Sequence, residues 1–206
     1  MRIDEKTFYR AVRRTLFDGR LGARQVEGLG AVLAAWRARI PEGDRRWLAY
    51  MLATAHHETG RTMQPMRETF AADDSAAIAR LETAFAAGGL PHVSAPYWRR
   101  DADGKSWLGR GLVQLTHRRN YEAMSRLTGI DLVAEPDAAM QLPVSARILV
   151  EGMLCGSFTG RALADYFSGG RDDWTGARRI INGQDRAALV AGYGRAYGDA
   201  LRVASG

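Results

Sequence analysis

The chain has 206 residues, 46% apolar and 25% charged, which is typical of one globular domain and excludes a fibrous or wholly disordered protein. Charged residues interrupt every apolar stretch before it reaches the roughly 18 residues of a membrane-spanning helix, so no membrane insertion is expected. The net charge of +6 is spread among acidic residues, without zinc-finger spacing or a basic stripe interleaved with aromatics, so we expect no nucleic-acid partner.

The first half of the chain is predicted to be helical. Apolar residues recur at helical spacing over 7–17, 23–40, 44–58 and 75–87. Pro41 ends the second of these helices and Gly60 the third. Residues 90–106 contain two prolines and an Asp-Gly pair, which predict an irregular loop, and 84–96 is the best hinge candidate.

The second half begins with a short glycine-rich apolar segment, 107–116, which is predicted to form a small strand or hairpin. Helical patterns follow over 120–127, 143–154, 161–167, 173–181 and 186–203. Hardly any segment alternates as a strand would. We therefore predict a mainly α protein with one domain over 1–206, in which the helices of 1–42 pack on the rest.

Glu58 lies on the apolar face of the third predicted helix, close to its end. It follows Met51 by seven residues, about two helical turns, so the two share one face. An anion there loses water and faces the negative end of the helix dipole. Both effects favour the protonated carboxyl that a general acid requires. The alternative is a carboxylate neutralised by an arginine, and the helical spacing does not decide between them.

A second carboxyl, Glu68, follows ten residues later. Pro65 favours extended backbone before it, so we predict that Glu68 lies on a loop facing the end of the Glu58 helix. One carboxyl in a dry position and one in a wetter position form the pair that glycoside hydrolysis requires. Glutamates ten residues apart are common, so the spacing by itself does not identify the pair.

A metal site is not expected. His57 is followed by a glutamate, as in the helix motif of zinc metalloproteases, but that motif needs a second histidine four residues further on, where this chain has Arg61. The other candidate ligands, His92, His117 and Cys155, are remote in sequence. Cys155 is the single cysteine, so no internal disulfide is possible.

Residues 109–116 form a second segment whose side chains are candidates for substrate binding. Glycines on both sides of Arg110 permit close backbone approach. Gln114 and Thr116 are two residues apart, so in an extended chain they would project to the same side. An amide and a hydroxyl there suit the positioning of a sugar N-acetyl group and a water molecule. The alternative is the polar edge of a small hairpin.

The dipeptide Asn182-Gly183 ends a predicted helix. One interpretation is a helix cap with Gly183 in the left-handed conformation. The other is that Asn182 presents its amide to a ligand.

Three segments in this order resemble the family 19 glycoside hydrolases, the chitinase-like fold shared with many phage endolysins. The matching residues are 55–60 (AHHETG), 109–116 (GRGLVQLT) with 120–121 (NY), and 179–183 (RIING). The resemblance spans 55–183 and implies a lysozyme-like, mainly α fold with a small β element and no cofactor. It also implies an inverting mechanism, in which carboxyl groups roughly 6.5–9.5 Å apart leave room for water.

The resemblance also implies individual roles. Glu58 matches the general acid, and Thr116 matches the residue that holds the attacking water. The matched substrate-binding positions are His57, Arg110, Gln114, Asn120, Tyr121 and Asn182. The second carboxyl departs from the plant chitinases, in which it lies much further along the chain. Glu68 stands where short phage-type members place an acid, with Asp73 and Asp74 as alternatives.

These features predict an endolysin-type hydrolase of β-1,4 bonds in an N-acetylated polysaccharide, either bacterial peptidoglycan or chitin. The first 20 residues carry no apolar segment of a signal peptide, so we expect a monomer made in the cytoplasm that acts on the cell wall after release. Two alternatives remain open. One is a lytic transglycosylase, which needs a single catalytic glutamate, and the other is a non-catalytic protein that binds the wall.

Overall fold

The structure is a computed structural model that describes residues 2–205. Within them the helices are α1 (Glu5–Thr15), α2 (Ala23–Arg39), α3 (Arg45–Glu58), α4 (Asp74–Ala86), α5 (Arg118–Thr128), α6 (Leu142–Cys155) and α7 (Ala187–Ala204). The predicted mainly α class is therefore confirmed, and these seven helices end close to the predicted boundaries. No helix in this part of the chain is both long and apolar enough to cross a membrane.

The small β element consists of two antiparallel pairs of short strands. Strand β1 (Met66–Arg67) pairs with β2 (Arg110–Gly111), and β3 (Phe167–Ser168) pairs with β4 (Arg171–Asp172). The first pair confirms a strand within 107–116 and joins the segment before Glu68 to the glycine-rich segment. The second pair was not predicted from the sequence.

Two of the predicted helices are wrong. In place of 161–167 the chain forms a single 3-10 turn, Leu163–Asp165, and in place of 173–181 it forms another, Gly176–Ile180. Side chains of aspartate compete with the helical backbone at both points. Asp165 accepts a hydrogen bond from the Ala162 N–H at 2.9 Å, and Asp173 accepts one from the Gly176 N–H at 2.7 Å.

Helix α3 lies at the centre of the main core. Every residue from Leu48 to His56 is buried, so the helix is covered on all sides. Its closest neighbour is α7, where Gly194 lacks the side chain that would collide with Trp174. The N-terminal helices pack against this body, α1 on α7 and α2 on α6.

A second, smaller apolar cluster lies apart from the main core. Its buried residues are Ala71, Ala77, Leu81, Trp98 and Leu108, contributed by α4 and the long irregular segments on either side of it. The predicted loop over 90–106 is confirmed, since no helix or strand forms there. Trp98 donates a hydrogen bond from its indole N–H to Glu82 at 2.7 Å, which fixes the loop to α4.

Candidate active site

Glu58 is the last residue of α3, at the helix end that Gly60 predicted. Its side chain is 16% exposed, and its Oε1 accepts a hydrogen bond of 2.6 Å from Nη1 of Arg178. The arginine alternative is therefore realised, because the guanidinium neutralises a carboxylate at the negative end of the helix. Oε2 of Glu58 has no hydrogen-bond partner within residues 2–205 and is the oxygen available to a ligand.

Arg178 is a residue of the candidate site that the sequence did not indicate. It lies in the 3-10 turn Gly176–Ile180 and is 3% exposed, and its Nε donates to the Asp185 carbonyl at 3.1 Å. The side chain is thus held by a backbone contact while it binds Glu58. Arg178 directly precedes the segment 179–183, which resembles the family. Nothing in the local sequence indicates that this segment contacts α3.

The two histidines before Glu58 have different environments. His56 is fully buried and contacts the Tyr197 hydroxyl through Nδ1 at 3.0 Å, and burial lowers the pKa of His56 to about 4. His57 is half-buried beside Glu58. Burial lowers the pKa of His57, while the nearby Glu58 charge acts in the opposite direction. His56 therefore belongs to the core, and His57 is a neutral neighbour of the carboxyl near pH 7.

Both carboxylate oxygens of Glu68 accept hydrogen bonds. The Tyr97 hydroxyl donates to Oε1 at 2.6 Å, and the Gly109 N–H donates to Oε2 at 2.8 Å. Two donors stabilise the ionised carboxylate. Burial and the bond to Glu68 raise the pKa of Tyr97, so its hydroxyl remains a donor over the whole physiological range. Tyr97 is the second residue that the sequence did not indicate.

Gly109 brings the predicted polar residues together. A methyl group added at Gly109 would lie 2.8 Å from Oε1 of Gln114, 3.3 Å from Oε2 of Glu68 and 3.3 Å from Cγ2 of Thr116. The three side chains therefore converge on one bare stretch of backbone. This close approach is the reason that the position requires glycine.

Gln114 and Thr116 do not lie in an extended chain, so the prediction that they project from one side of a strand is wrong. Gln114 has a positive φ of 54° and lies in a tight turn, where its amide donates to the Met66 carbonyl at 2.8 Å. The amide of Asn120 donates to the Thr116 carbonyl, also at 2.8 Å. A cavity of about 180 Å³ adjoins these residues and is lined by Val113, Gln114, Leu115, Thr116, His117, Arg119, Asn120, Phe158 and Ile181.

Arg110 and Tyr121 do not face this cavity. Arg110 is almost fully buried, and its guanidinium binds Asp74, Asp137 and the Tyr121 hydroxyl. Tyr121 is fully buried and donates its hydroxyl hydrogen to the Leu108 carbonyl at 2.9 Å. The expectation that they bind substrate directly is corrected, because neither side chain has surface to offer. Both instead hold the backbone of β2 and Gly109 in place.

The remaining candidates have local roles. Asp73 caps α4 by accepting from the Ala76 N–H at 2.8 Å, and Asp74 pairs with Arg67 at 2.8 Å as well as with the buried arginine of β2. Both alternative acids are therefore engaged in hydrogen bonds or ion pairs of the fold. Asn182 is exposed, and Gly183 does not adopt the left-handed conformation expected of a helix cap.

Backbone strain is concentrated around these residues. Within residues 2–205, the non-glycine residues with positive φ are Asp18, Arg61, Met63, Thr69, Phe70, Gln114, His117 and Arg186. Arg61, Met63, Thr69 and Phe70 lie in the segment after α3, Gln114 lies in the glycine-rich segment, and His117 and Arg186 directly precede α5 and α7. Left-handed backbone at bulky residues is costly and clusters at functional sites. No group of three or more metal-ligating side chains was found in the described part of the chain.

Comparison with known proteins establishes the fold. No family model matches the chain. Chitinase C from Streptomyces griseus HUT6037 superposes with a TM-score of 0.52 at 20% identity, covering 98% of this chain and 76% of that one. A glutamate-to-glutamine mutant of chitinase C gives a TM-score of 0.54 at 19% identity, with the same coverage. The predicted lysozyme-like fold of the family 19 chitinase type is therefore confirmed.

Proposed function

We propose that the protein is an endolysin-type glycoside hydrolase that cleaves β-1,4 bonds between N-acetylated sugars with inversion, and that peptidoglycan is its substrate. The observation that carries this proposal is the contrast between two carboxyls. Glu58 has one oxygen on a buried arginine and one unoccupied, whereas both oxygens of Glu68 accept hydrogen bonds. The free oxygen of Glu58 can reach a leaving oxygen, whereas the two donors hold Glu68 in one orientation in which it can accept a proton from water.

The proposed reaction moves two protons, one given by Glu58 and one taken from water by Glu68. Glu58 meets the substrate in its protonated form, with Oε1 still accepting the hydrogen bond from Arg178. Its Oε2 donates the proton to the bridging oxygen as the bond from that oxygen to the anomeric carbon breaks. A water molecule attacks the anomeric carbon from the opposite face and passes a proton to Glu68. Thr116 holds this water in the proposal. Arg178 then stabilises the Glu58 carboxylate that the reaction leaves behind.

Charge supports peptidoglycan over chitin. Arg119 lines the cavity beside Thr116, is exposed and forms no ion pair with a residue in 2–205. An unpaired cation at the site favours a glycan that carries carboxylates, as peptidoglycan does through its lactyl groups and peptides, over neutral chitin. We further propose a monomer, made in the cytoplasm, that acts on the wall after release.

Digestion of purified peptidoglycan and of chitin oligomers, side by side, tests the proposal. We expect soluble wall fragments with new reducing ends, formed first as the inverted anomer, and slower release from chitin. Product masses and the anomeric configuration by proton NMR provide the measurement. Anhydro-muramic ends would assign a transglycosylase instead. Binding to the wall without release of fragments would assign a non-catalytic protein.

A transglycosylase is the second candidate, because the hydrogen bonds from Tyr97 and Gly109 also fit a Glu68 that only supports the backbone. Replacement of Glu68 by glutamine separates the two reactions. For a hydrolase we expect kcat to fall by about 10²–10⁴-fold, since glutamine cannot accept the proton of water. A transglycosylase would retain most of its rate. The matched control is Glu122→Gln, which removes an exposed carboxyl on α5 and should leave the rate unchanged.

A further inference from the structure

Phe70 is the most exposed large apolar side chain within residues 2–205, with 65% of its surface open to solvent. It lies two residues after Glu68, in the 3-10 turn that follows β1. Single apolar residues are common on protein surfaces, so exposure by itself does not indicate a ligand. The backbone conformation at Phe70 and the position of its ring are two further observations that point to a ligand.

The backbone that carries the ring is strained. Thr69 has φ and ψ of 60° and 15°, and Phe70 has a φ of 55°, so two consecutive non-glycine residues are left-handed. This conformation is a true outlier for a β-branched and for a bulky residue. Arg80 holds it by donating to the Thr69 carbonyl at 2.8 Å, and the Thr69 hydroxyl is buried without a partner. The fold thus accepts several unfavourable features at the point where the ring enters solvent.

The ring lies between the segments that carry the two carboxyls. A methyl group added at Gly60 would be 3.7 Å from Cε1 of Phe70, and Gly60 follows Glu58 by two residues. Glu68 precedes Phe70 by two residues and is fixed to Gly109 through its own N–H at 2.7 Å. The aromatic surface therefore lies against the turn that follows Glu58, on the segment that carries Glu68, and is open to solvent.

We propose that Phe70 is a stacking platform for the apolar face of a sugar ring, in the subsite adjoining the bond that is cut. The axial hydrogens of a β-linked N-acetylhexosamine make one face of its ring apolar, and that face packs on an aromatic surface. The inference rests on the proposed function and assigns a specificity-determining residue to it.

Four variants test the platform. Phe70→Ala removes the ring, Phe70→Leu keeps apolar bulk without an aromatic face, and Phe70→Trp keeps the face. All three retain a side chain on the left-handed backbone, so the strain is preserved. Val203→Ala is the matched control, because Val203 is 57% exposed near the end of α7 and outside the site.

With a chitin or peptidoglycan oligosaccharide, we expect KM to rise about tenfold in Phe70→Ala while kcat stays within about threefold. Phe70→Leu should recover only part of this loss, and Phe70→Trp should match the wild type. Thermal unfolding of all four variants is measured, and equal unfolding temperatures would show that the change in KM is not caused by a loss of fold. Wild-type kinetics in Phe70→Ala, or equal recovery by leucine and tryptophan, would overturn the platform.

A binding measurement keeps the inference separate from the proposed reaction. The wild type has five tryptophans, so its emission is subtracted from that of Phe70→Trp. The difference should shift to shorter wavelength when a chitin tetramer or a peptidoglycan tetrasaccharide is added, whether or not hydrolysis occurs. Isothermal titration should show weaker binding by Phe70→Ala. Unchanged binding and activity in Phe70→Ala, beside an inactive Glu58→Gln, would reject the platform and leave the proposed hydrolase standing. Loss of sugar binding in Phe70→Ala with no hydrolysis by the wild type would support only the platform.

Discussion

Replacement of Glu58 by glutamine is expected to lower kcat on peptidoglycan by about 10²–10⁴-fold, because the amide cannot donate the proton that the leaving oxygen requires. KM should change little, since glutamine keeps the shape of the side chain and can still accept the hydrogen bond from Arg178. Release of soluble fragments from purified wall, followed over a range of substrate concentrations, gives both constants.

Glu58→Gln is also expected to change the free energy of unfolding, which is measured together with kcat. Arg178 is 3% exposed, and glutamine leaves its charge without a counterion, so we expect a loss of about 1–3 kcal/mol in the free energy of unfolding. Assays are therefore made below the unfolding transition. Glu122→Gln, which affects only an exposed pair with Arg118, should retain both activity and stability. Near-normal lysis by Glu58→Gln would exclude Glu58 as the acid.

Replacement of Arg110 by methionine is expected to lower the free energy of unfolding by about 3–5 kcal/mol. The guanidinium binds Asp74, Asp137 and the Tyr121 hydroxyl, as well as the Ser106 carbonyl at 3.0 Å. Methionine fills part of the volume but leaves buried acceptors unsatisfied. Urea unfolding followed by circular dichroism measures the loss.

A surface arginine provides the comparison. Arg202 pairs with Asp199 on α7, where both side chains are well exposed, so Arg202→Met should change stability by less than about 1 kcal/mol. If Arg110→Met were no more destabilising than this control, the buried network could not be the support of β2. At temperatures where Arg110→Met is still folded we expect a reduced kcat. Gly109 directly precedes β2, so a displaced β2 would also displace the Gly109 N–H that donates to Glu68.

The long helices were predictable from the sequence because buried apolar residues recur along them at helical spacing. Helices α2, α3, α6 and α7 end within two residues of their predicted bounds. The region 161–181 was not predictable in the same way, since its segments are short and aspartate side chains close local turns there. The strands β3 and β4 have two residues each, too few for alternation to be visible.

The site was predictable only where the signal is local or carried by a family pattern. Glu58 follows from its helix face. Gln114 and Thr116 were selected correctly as neighbours for a wrong reason, since a tight turn and not an extended strand brings them together. Arg178 and Tyr97 lie 120 and 29 residues away from the carboxyls that they bind, and no short-range pattern encodes such pairs.

The two apolar clusters have a consequence for catalysis. Glu58 is mounted on α3, within the main cluster, whereas Glu68 is fastened to Gly109 and Tyr97, whose surroundings belong to the small cluster around Trp98. The proposed acid and the proposed base are thus supported by two different apolar clusters. A substitution that repacks one cluster is therefore expected to displace one carboxyl relative to the other while the packing of the second cluster stays intact.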